Sequence, residues 1–248
     1  VGRFRPSDAR HAQQLLFPFR DASGSRFDNF IAEGNQVILE SCRELAQGEA
    51  SGLLVLHGPA GSGKSHLLRA SCGARIESNG RAALWVASPH GTVTQPRALP
   101  VEREPAFDLL AVDGIEAIAG DPTREEECFR LVLSALQGRL RLLLAGRLAP
   151  QALAWVLPDL ASRLKAAVLP PLKPLNDELR VRVIQARSEV RGMQLDDSAA
   201  RWLLHHWPRD LESLLAVLDR LEEQPGAVGR RITLAFLKRA LGHAHPTP

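Results

Sequence analysis

The sequence has little cysteine, no tyrosine and no long apolar run. Its three cysteines, Cys42, Cys72 and Cys128, are odd in number and widely spaced. That excludes a disulfide framework and fits free buried thiols in a reducing cytoplasm. No stretch approaches the ~20 apolar residues of a membrane-spanning helix, and no secretory signal pattern opens the chain, so no membrane partner is expected. Val1 in place of Met suggests trimming or an engineered start, so little is read into the first residues. The eight histidines form no metal-ligand spacing; His205-His206 and His243-x-His245 read as surface residues. There is no internal repeat and no low-complexity tract. Charge is nearly balanced, at +3 with a pI near 9.1, which is compatible with work near nucleic acid without demonstrating it. What is present is an ordinary globular composition, 45% hydrophobic and 24% charged over 248 residues, enough for one large or two smaller domains.

Within it one stretch carries chemistry. Gly52-Leu53-Leu54-Val55-Leu56 reads as a buried parallel strand, GPAGSGKS from Gly58 to Ser65 fits G-x-x-x-x-G-K-[ST], and His66-Leu67-Leu68 continues as a helix. Gly58, Gly61 and Gly63 let the backbone curl so that its N–H groups point at phosphate oxygens. The helix beginning near Lys64 turns its positive end to the same anion. Lys64 is expected to reach the β- and γ-phosphates and the Ser65 hydroxyl to ligate Mg²⁺. A second signature is the strand Ala106–Asp113, which ends in a carboxylate able to hold Mg²⁺ through water. The next position, where a hydrolysing ATPase usually carries a second acid, is Gly114. Glu116 could in principle reach in to supply that acid, but Ile115–Ile118 looks like the start of a short helix, and a solvated Glu116 is the preferred reading.

The remaining chain falls in order around these two motifs. Residues up to about Ser25 read as a mobile tail interrupted by an apolar island, Gln14 to Phe19, which either docks on a partner or tucks onto the chain's own core. Phe27–Ile31 reads as extended, and Gly34-Asn35 opens a helix with Val37, Ile38 and Leu45 inward. Further strands are expected at Ala82–Ala87, Leu140–Ala145 and, as a short proline-bearing edge, Ala166–Leu172. Asp121-Pro122-Thr123 opens a helix with acids near its positive end, and Leu157–Leu164 is a short helix. From Lys173 the pattern turns helical: Asn176–Arg191, a helix capped by Asp196-Asp197-Ser198, Arg209–Glu222 and Arg230–Leu241. No strand pattern appears after Leu172. Strands alternating with helices after a phosphate loop imply a parallel three-layer sheet.

With these pieces placed, the chain resembles the AAA+ ATPases of the DnaA branch, and among them the small DnaA-homologous regulators that inactivate the initiator. The resemblance is carried by FDNFIAEGN (Phe27 to Asn35), HGPAGSGKSHLL, LLAVDGIEAIAGD (Leu109 to Asp121), LPDLASRL (Leu157 to Leu164) and PRDLESLLAVLDRL (Pro208 to Leu221). It implies an α/β fold: an AAA+ P-loop three-layer αβα parallel sheet with a C-terminal all-α lid. The domains would be a tail (1–25), a nucleotide-binding α/β domain (26–173) and a helical lid (174–243). It implies a nucleotide pocket formed by Gly58, Pro59, Ala60, Gly61, Ser62, Gly63, Lys64, Ser65 and His66, with Arg209 as a lid arginine and Ser65 and Asp113 on Mg²⁺. It makes Arg163 an arginine finger offered in trans to ATP on a neighbouring DnaA. On the residues alone, Arg163 is an ordinary helix-surface charge and Arg209 an i,i+3 partner of Glu212. Gln14, Leu15, Phe17 and Phe19 resemble the peptide that binds the bacterial β sliding clamp, a few deep side chains anchoring an extended segment.

Two departures from the branch shape the expectation. Gly114 removes the second acid, and Arg147 stands where the branch usually has an aspartate that senses the γ-phosphate. Both bear on water activation, and neither on gripping a diphosphate. The expected protein therefore holds ADP (or ATP) with Mg²⁺ as a structural cofactor that clamps lid to sheet. It hydrolyses ATP weakly or not at all, and acts as a negative regulator of replication initiation rather than as an enzyme. Its expected partners are DnaA and the β sliding clamp. DNA is reached only through the clamp, the location is cytoplasmic at the replisome, and the pattern allows a homodimer. The alternative is a self-hydrolysing AAA+ ATPase such as a DnaA-related helicase loader.

Overall fold

A computed structural model describes residues 24–48, 52–86, 107–208, 211–224, 227 and 229–241, with Glu212 by its backbone only. Gln14, Leu15, Phe17, Phe19 and Arg209 lie outside the described residues, as does the loop Ser88 to Pro105. The chain divides into two compact units, Val1–Lys173 and Pro174–Pro248.

The first unit is built on four parallel strands, β1 (Leu53–His57), β2 (Ala82–Val86), β3 (Leu109–Asp113) and β4 (Arg141–Gly146), in the order β1-β4-β3-β2. Successive strand side chains point to opposite faces, and both faces are covered here. Leu53, Val55, Leu110, Val112, Leu142 and Leu144 pack on helices α3 (Pro122–Leu136) and α4 (Pro158–Ala166). Leu54, Leu56, Leu109, Ala111, Leu143 and Ala145 pack on α1 (Gln36–Gln47) and α2 (Lys64–Glu77). That double burial is why the strands read as unbroken apolar runs. It also puts α4 and α2 on opposite sides of the sheet.

Several boundaries differ from expectation for identifiable reasons. Phe27–Asn29 is a 3₁₀ turn rather than extended chain; the Asn29 side chain closes it, accepting from Arg26 N–H (3.0 Å) and donating to Gly24 O (2.6 Å). Val37 points outward, 68% exposed, while Ile38, Leu39, Cys42 and Leu45 form the buried face of α1. Asn35 is buried at the helix start and clasps Lys173 through both backbone groups, at 2.9 and 3.2 Å. The expected edge strand Ala166–Leu172 is a single parallel bridge, Val55 to Val168. Pro170 and Pro171 have no N–H to extend the ladder, so after Leu169 the next donor is Leu172, to His57 O at 2.8 Å. Asp121 caps α3 as the sequence suggests, accepting from Thr123 and Arg124 N–H.

The second unit packs α5 (Asp177–Val190), α6 (Asp197–His206), α7 (Leu211–Glu222) and α8 (Leu234–Leu241) around Ile184, Leu203, Leu214, Leu218 and Leu237. Asn176 caps α5 through Leu179 N–H, 2.9 Å. A two-residue parallel pair, β5 (Gln194–Leu195) with β6 (Arg231–Ile232), stands where no strand was expected. Asp196 bonds Arg231 beside that pair instead of capping α6. Two residues per strand give no periodicity to read.

Cys42, Cys72 and Cys128 are free and buried, and burial pushes each thiol up to about 12, so all three stay protonated at neutral pH. Among the described residues no helix is long and apolar enough to cross a membrane.

Candidate functional site

The loop between β1 and α2 has the backbone that its glycines predict. Gly63 sits at φ 95°, and a Cβ there would come within 2.6 Å of the Phe30 ring. The segment ahead of α1 thus packs directly over the loop. His66 donates from Nε2 to Arg26 O at 2.9 Å and stands 5.5 Å from Phe30, centre to centre, so it holds that segment in place. Pro59, Ala60 and Gly61 are exposed at the loop's tip, and a Cβ at Gly61 would meet nothing within 4 Å. Lys64 is buried, with Nζ donating to Gly58 O and Pro59 O, both at 2.7 Å. Burial pulls its ammonium below the usual lysine range; Asp113 and Glu116 oppose that shift and Arg147 adds to it.

The Ser65 hydroxyl donates to Asp113 Oδ2 at 2.5 Å. The strand ending in Asp113 is not the neighbour of β1, because β4 lies between them. Two strand spacings, about 10 Å, are spanned by the first turn of α2. In register, Leu56, Ala145 and Asp113 lie side by side across the three strands. Arg147, just past the end of β4, therefore falls between the phosphate loop and Asp113. Ser65 and Asp113 make a hard oxygen pair of the kind that would suit Mg²⁺. The residues present fit both a nucleotide phosphate and this ion. Among the described residues no cluster of three or more His, Cys, Asp or Glu forms a metal site.

Glu116 is not a freely solvated side chain. Its Oε1 accepts the backbone N–H groups of Arg147 and of Leu148, the latter at 3.1 Å. A Cβ at Gly146 would lie 2.7 Å from Ile115 and 2.9 Å from that same oxygen. A lone acid after a strand carries no sequence signal for this role; only the approach of the 3₁₀ turn Ile115–Ala117 to the end of β4 creates it. Glu116→Ala is expected to speed hydrogen exchange at the Arg147 and Leu148 amides by about tenfold, since bonds to a charged acceptor contribute more than neutral ones. Unchanged exchange would refute the anchoring. Gly114 adds a second point: it sits at φ 89°, a left-handed backbone, so the position after Asp113 lacks an acid and is also bent away from strand geometry.

Arg163 lies on the exposed face of α4, its guanidinium 5.8 Å from the centre of the Phe129 ring on α3. Leu160 and Leu164, flanking it, are fully buried. The arginine is thus on the opposite side of the sheet from α2.

Residues 177–241 match the family described as the Hda lid domain. The match covers the helical second unit, about a quarter of the chain. The lid carries that match, and solved structures give the fold of the whole. Domain III of Thermotoga maritima DnaA superposes at a TM-score of 0.69 and 17% identity over 91% of this chain and 98% of that one. AMPPCP-bound DnaA from Aquifex aeolicus gives 0.66 and 20%, over 87% and 68%. A DnaA bound to AMPPCP and single-stranded DNA gives 0.64 and 18%, over 81% of this chain and 65% of that one. The chain spans about two thirds of the two AMPPCP-bound chains. Identities this low show the fold alone: a DnaA-like α/β core, its parallel sheet between helical layers, and a helical unit similar to the Hda lid domain.

Proposed function

We propose that this chain belongs to the Hda family and is a regulator of the initiator ATPase DnaA. In this reading it binds ADP with Mg²⁺, docks on the DNA-loaded β sliding clamp and offers Arg163 to ATP held by DnaA. The observation that supports it most is the placement of Arg163. The guanidinium is exposed, rests on an aromatic ring, and is carried by a helix on the sheet face opposite the chain's own phosphate-loop helix. Such an arginine is available to a neighbouring subunit, where it would neutralise charge spreading over the γ-phosphate in the transition state. Within the chain's own site, Lys64, the glycine loop, Ser65 and Asp113 are equipped to hold a diphosphate. Gly114 and Arg147 replace the groups that would orient an attacking water. The self-hydrolysing reading lacks that acid.

The test is DnaA-bound ATP hydrolysis with and without this protein, in the presence of clamp loaded on DNA. Stimulation is expected, together with negligible turnover by the protein alone; brisk hydrolysis by the isolated protein would overturn the reading. Gln14→Ala with Leu15→Ala is expected to remove clamp binding, measured by surface plasmon resonance, because an anchored peptide concentrates its affinity in a few side chains. Unchanged affinity would mean that the tail serves another purpose.

A further inference from the structure

Glu125 lies in the first turn of α3 and is fully buried, 0% exposed. A buried carboxylate is costly unless charges or hydrogen bonds satisfy it. Among the described residues no arginine does so: the adjacent Arg124 turns to Ala117 O at 2.8 Å and to Asp121. Glu125 instead gathers backbone amides from two separate segments. Oε1 accepts from Gly120 N–H at 2.7 Å and Val156 N–H at 3.0 Å. Oε2 accepts from Val156 N–H at 2.9 Å and Leu157 N–H at 2.7 Å.

Leu157 is the residue from which α4 begins, and no side chain of its own caps that helix. At the other end of α4, Ala167 O accepts Val55 N–H at 3.0 Å, tying the helix to β1. The helix is therefore held at both ends, by β1 and by one carboxylate of α3. Leu160 and Leu164 fix its rotation by burial; Glu125 fixes where its first turn starts. Arg163 is carried between these points. Capping α3 alone would require the amides of its own first turn, not Val156 and Leu157.

We propose that Glu125 is a positioning residue for Arg163: its buried carboxylate sets the entry of α4 and so aims the guanidinium at the partner's nucleotide. The proposal rests on the finger reading above. Small misplacements of a catalytic group cost rate rather than binding. Glu125→Gln is thus expected to lower the maximal stimulation of DnaA-bound ATP hydrolysis by about tenfold, with half-saturation and the protein's own ADP affinity within about twofold of the parent. A merely destabilised protein would show the reverse, a raised half-saturation with the same maximum. Amide exchange at Val156 and Leu157 is read on the same samples and is expected to accelerate. Glu125→Asp keeps the charge but withdraws it by one methylene; it is expected to give a smaller loss, and it carries the test if the Gln variant does not fold. Full maximal stimulation in a variant whose Val156 and Leu157 amides are deprotected, while Arg163→Ala remains inactive, would overturn the positioning role. If Arg163→Ala stimulates normally, the finger reading fails, and the aiming role with it; exchange at Val156 and Leu157 then decides separately whether Glu125 anchors α4.

Discussion

Replacing Arg163 with Ala is expected to reduce stimulation of DnaA-bound ATP hydrolysis by about 10³-fold or more, roughly 4 kcal/mol of transition-state stabilisation, as for other arginines supplied in trans. Clamp binding and ADP binding should stay as in the parent, because Arg163 is exposed on α4 and its loss leaves Leu160 and Leu164 packed. Among the described residues the contact removed is that with the Phe129 ring, at 5.8 Å, and a partly exposed cation–π pair contributes only about 0.5–1 kcal/mol. Single-turnover hydrolysis of radiolabelled ATP on DnaA separates the two effects. A loss of rate at saturating protein with unchanged thermal midpoint supports the assignment. Retained stimulation removes it. Arg163→Lys should recover little, since a point charge does not reproduce the planar fork that spans two phosphate oxygens.

The second large effect is expected at Lys64. Lys64→Ala should weaken ADP binding by about 10²–10³-fold, or ~3–4 kcal/mol, which isothermal titration with Mg²⁺ present would measure. Nζ is buried and donates to two loop carbonyls, at 2.7 Å each. A diphosphate offers that ammonium charged acceptors in their place, and charge-assisted bonds are the stronger ones. The direction of its pKa sets a pH dependence. Burial lowers the ammonium's pKa, so in the free protein the charge is lost at a lower pH than on an ordinary lysine. ADP affinity is therefore expected to fall as pH rises through that lowered value, while the Lys64→Ala variant shows no such fall. Binding of ADP to the variant within threefold of the parent would show that the loop amides alone hold the phosphates.

Much of this molecule is written locally. The G-x-x-x-x-G-K-S pattern with a strand before it and a helix after it requires little tertiary context, because glycine conformation and a helix terminus are short-range properties. The apolar strands were visible for the same reason: burial on both faces leaves no polar residue to interrupt them. Legibility ended where partners are distant in sequence. Glu116 and Arg147 lie 31 residues apart, and Glu125 and Val156 likewise, yet a backbone amide is invisible to any motif. The β5–β6 pair and the turn at Phe27–Asn29 are too short to carry a period.

The amino-acid order by itself determined the glycine-loop backbone, the alternating α/β core and the point at Lys173 where the chain turns helical, since each depends on neighbours within a few residues. Only the tertiary structure decided that β4 stands between the loop and Asp113, that Gly114 is bent as well as bare, and that α4 carries Arg163 on the far side of the sheet from α2. Strand order and the pairing of buried carboxylates with remote amides are settled by how layers pack and by the cost of leaving a polar group unsatisfied, and neither is a property of any single stretch.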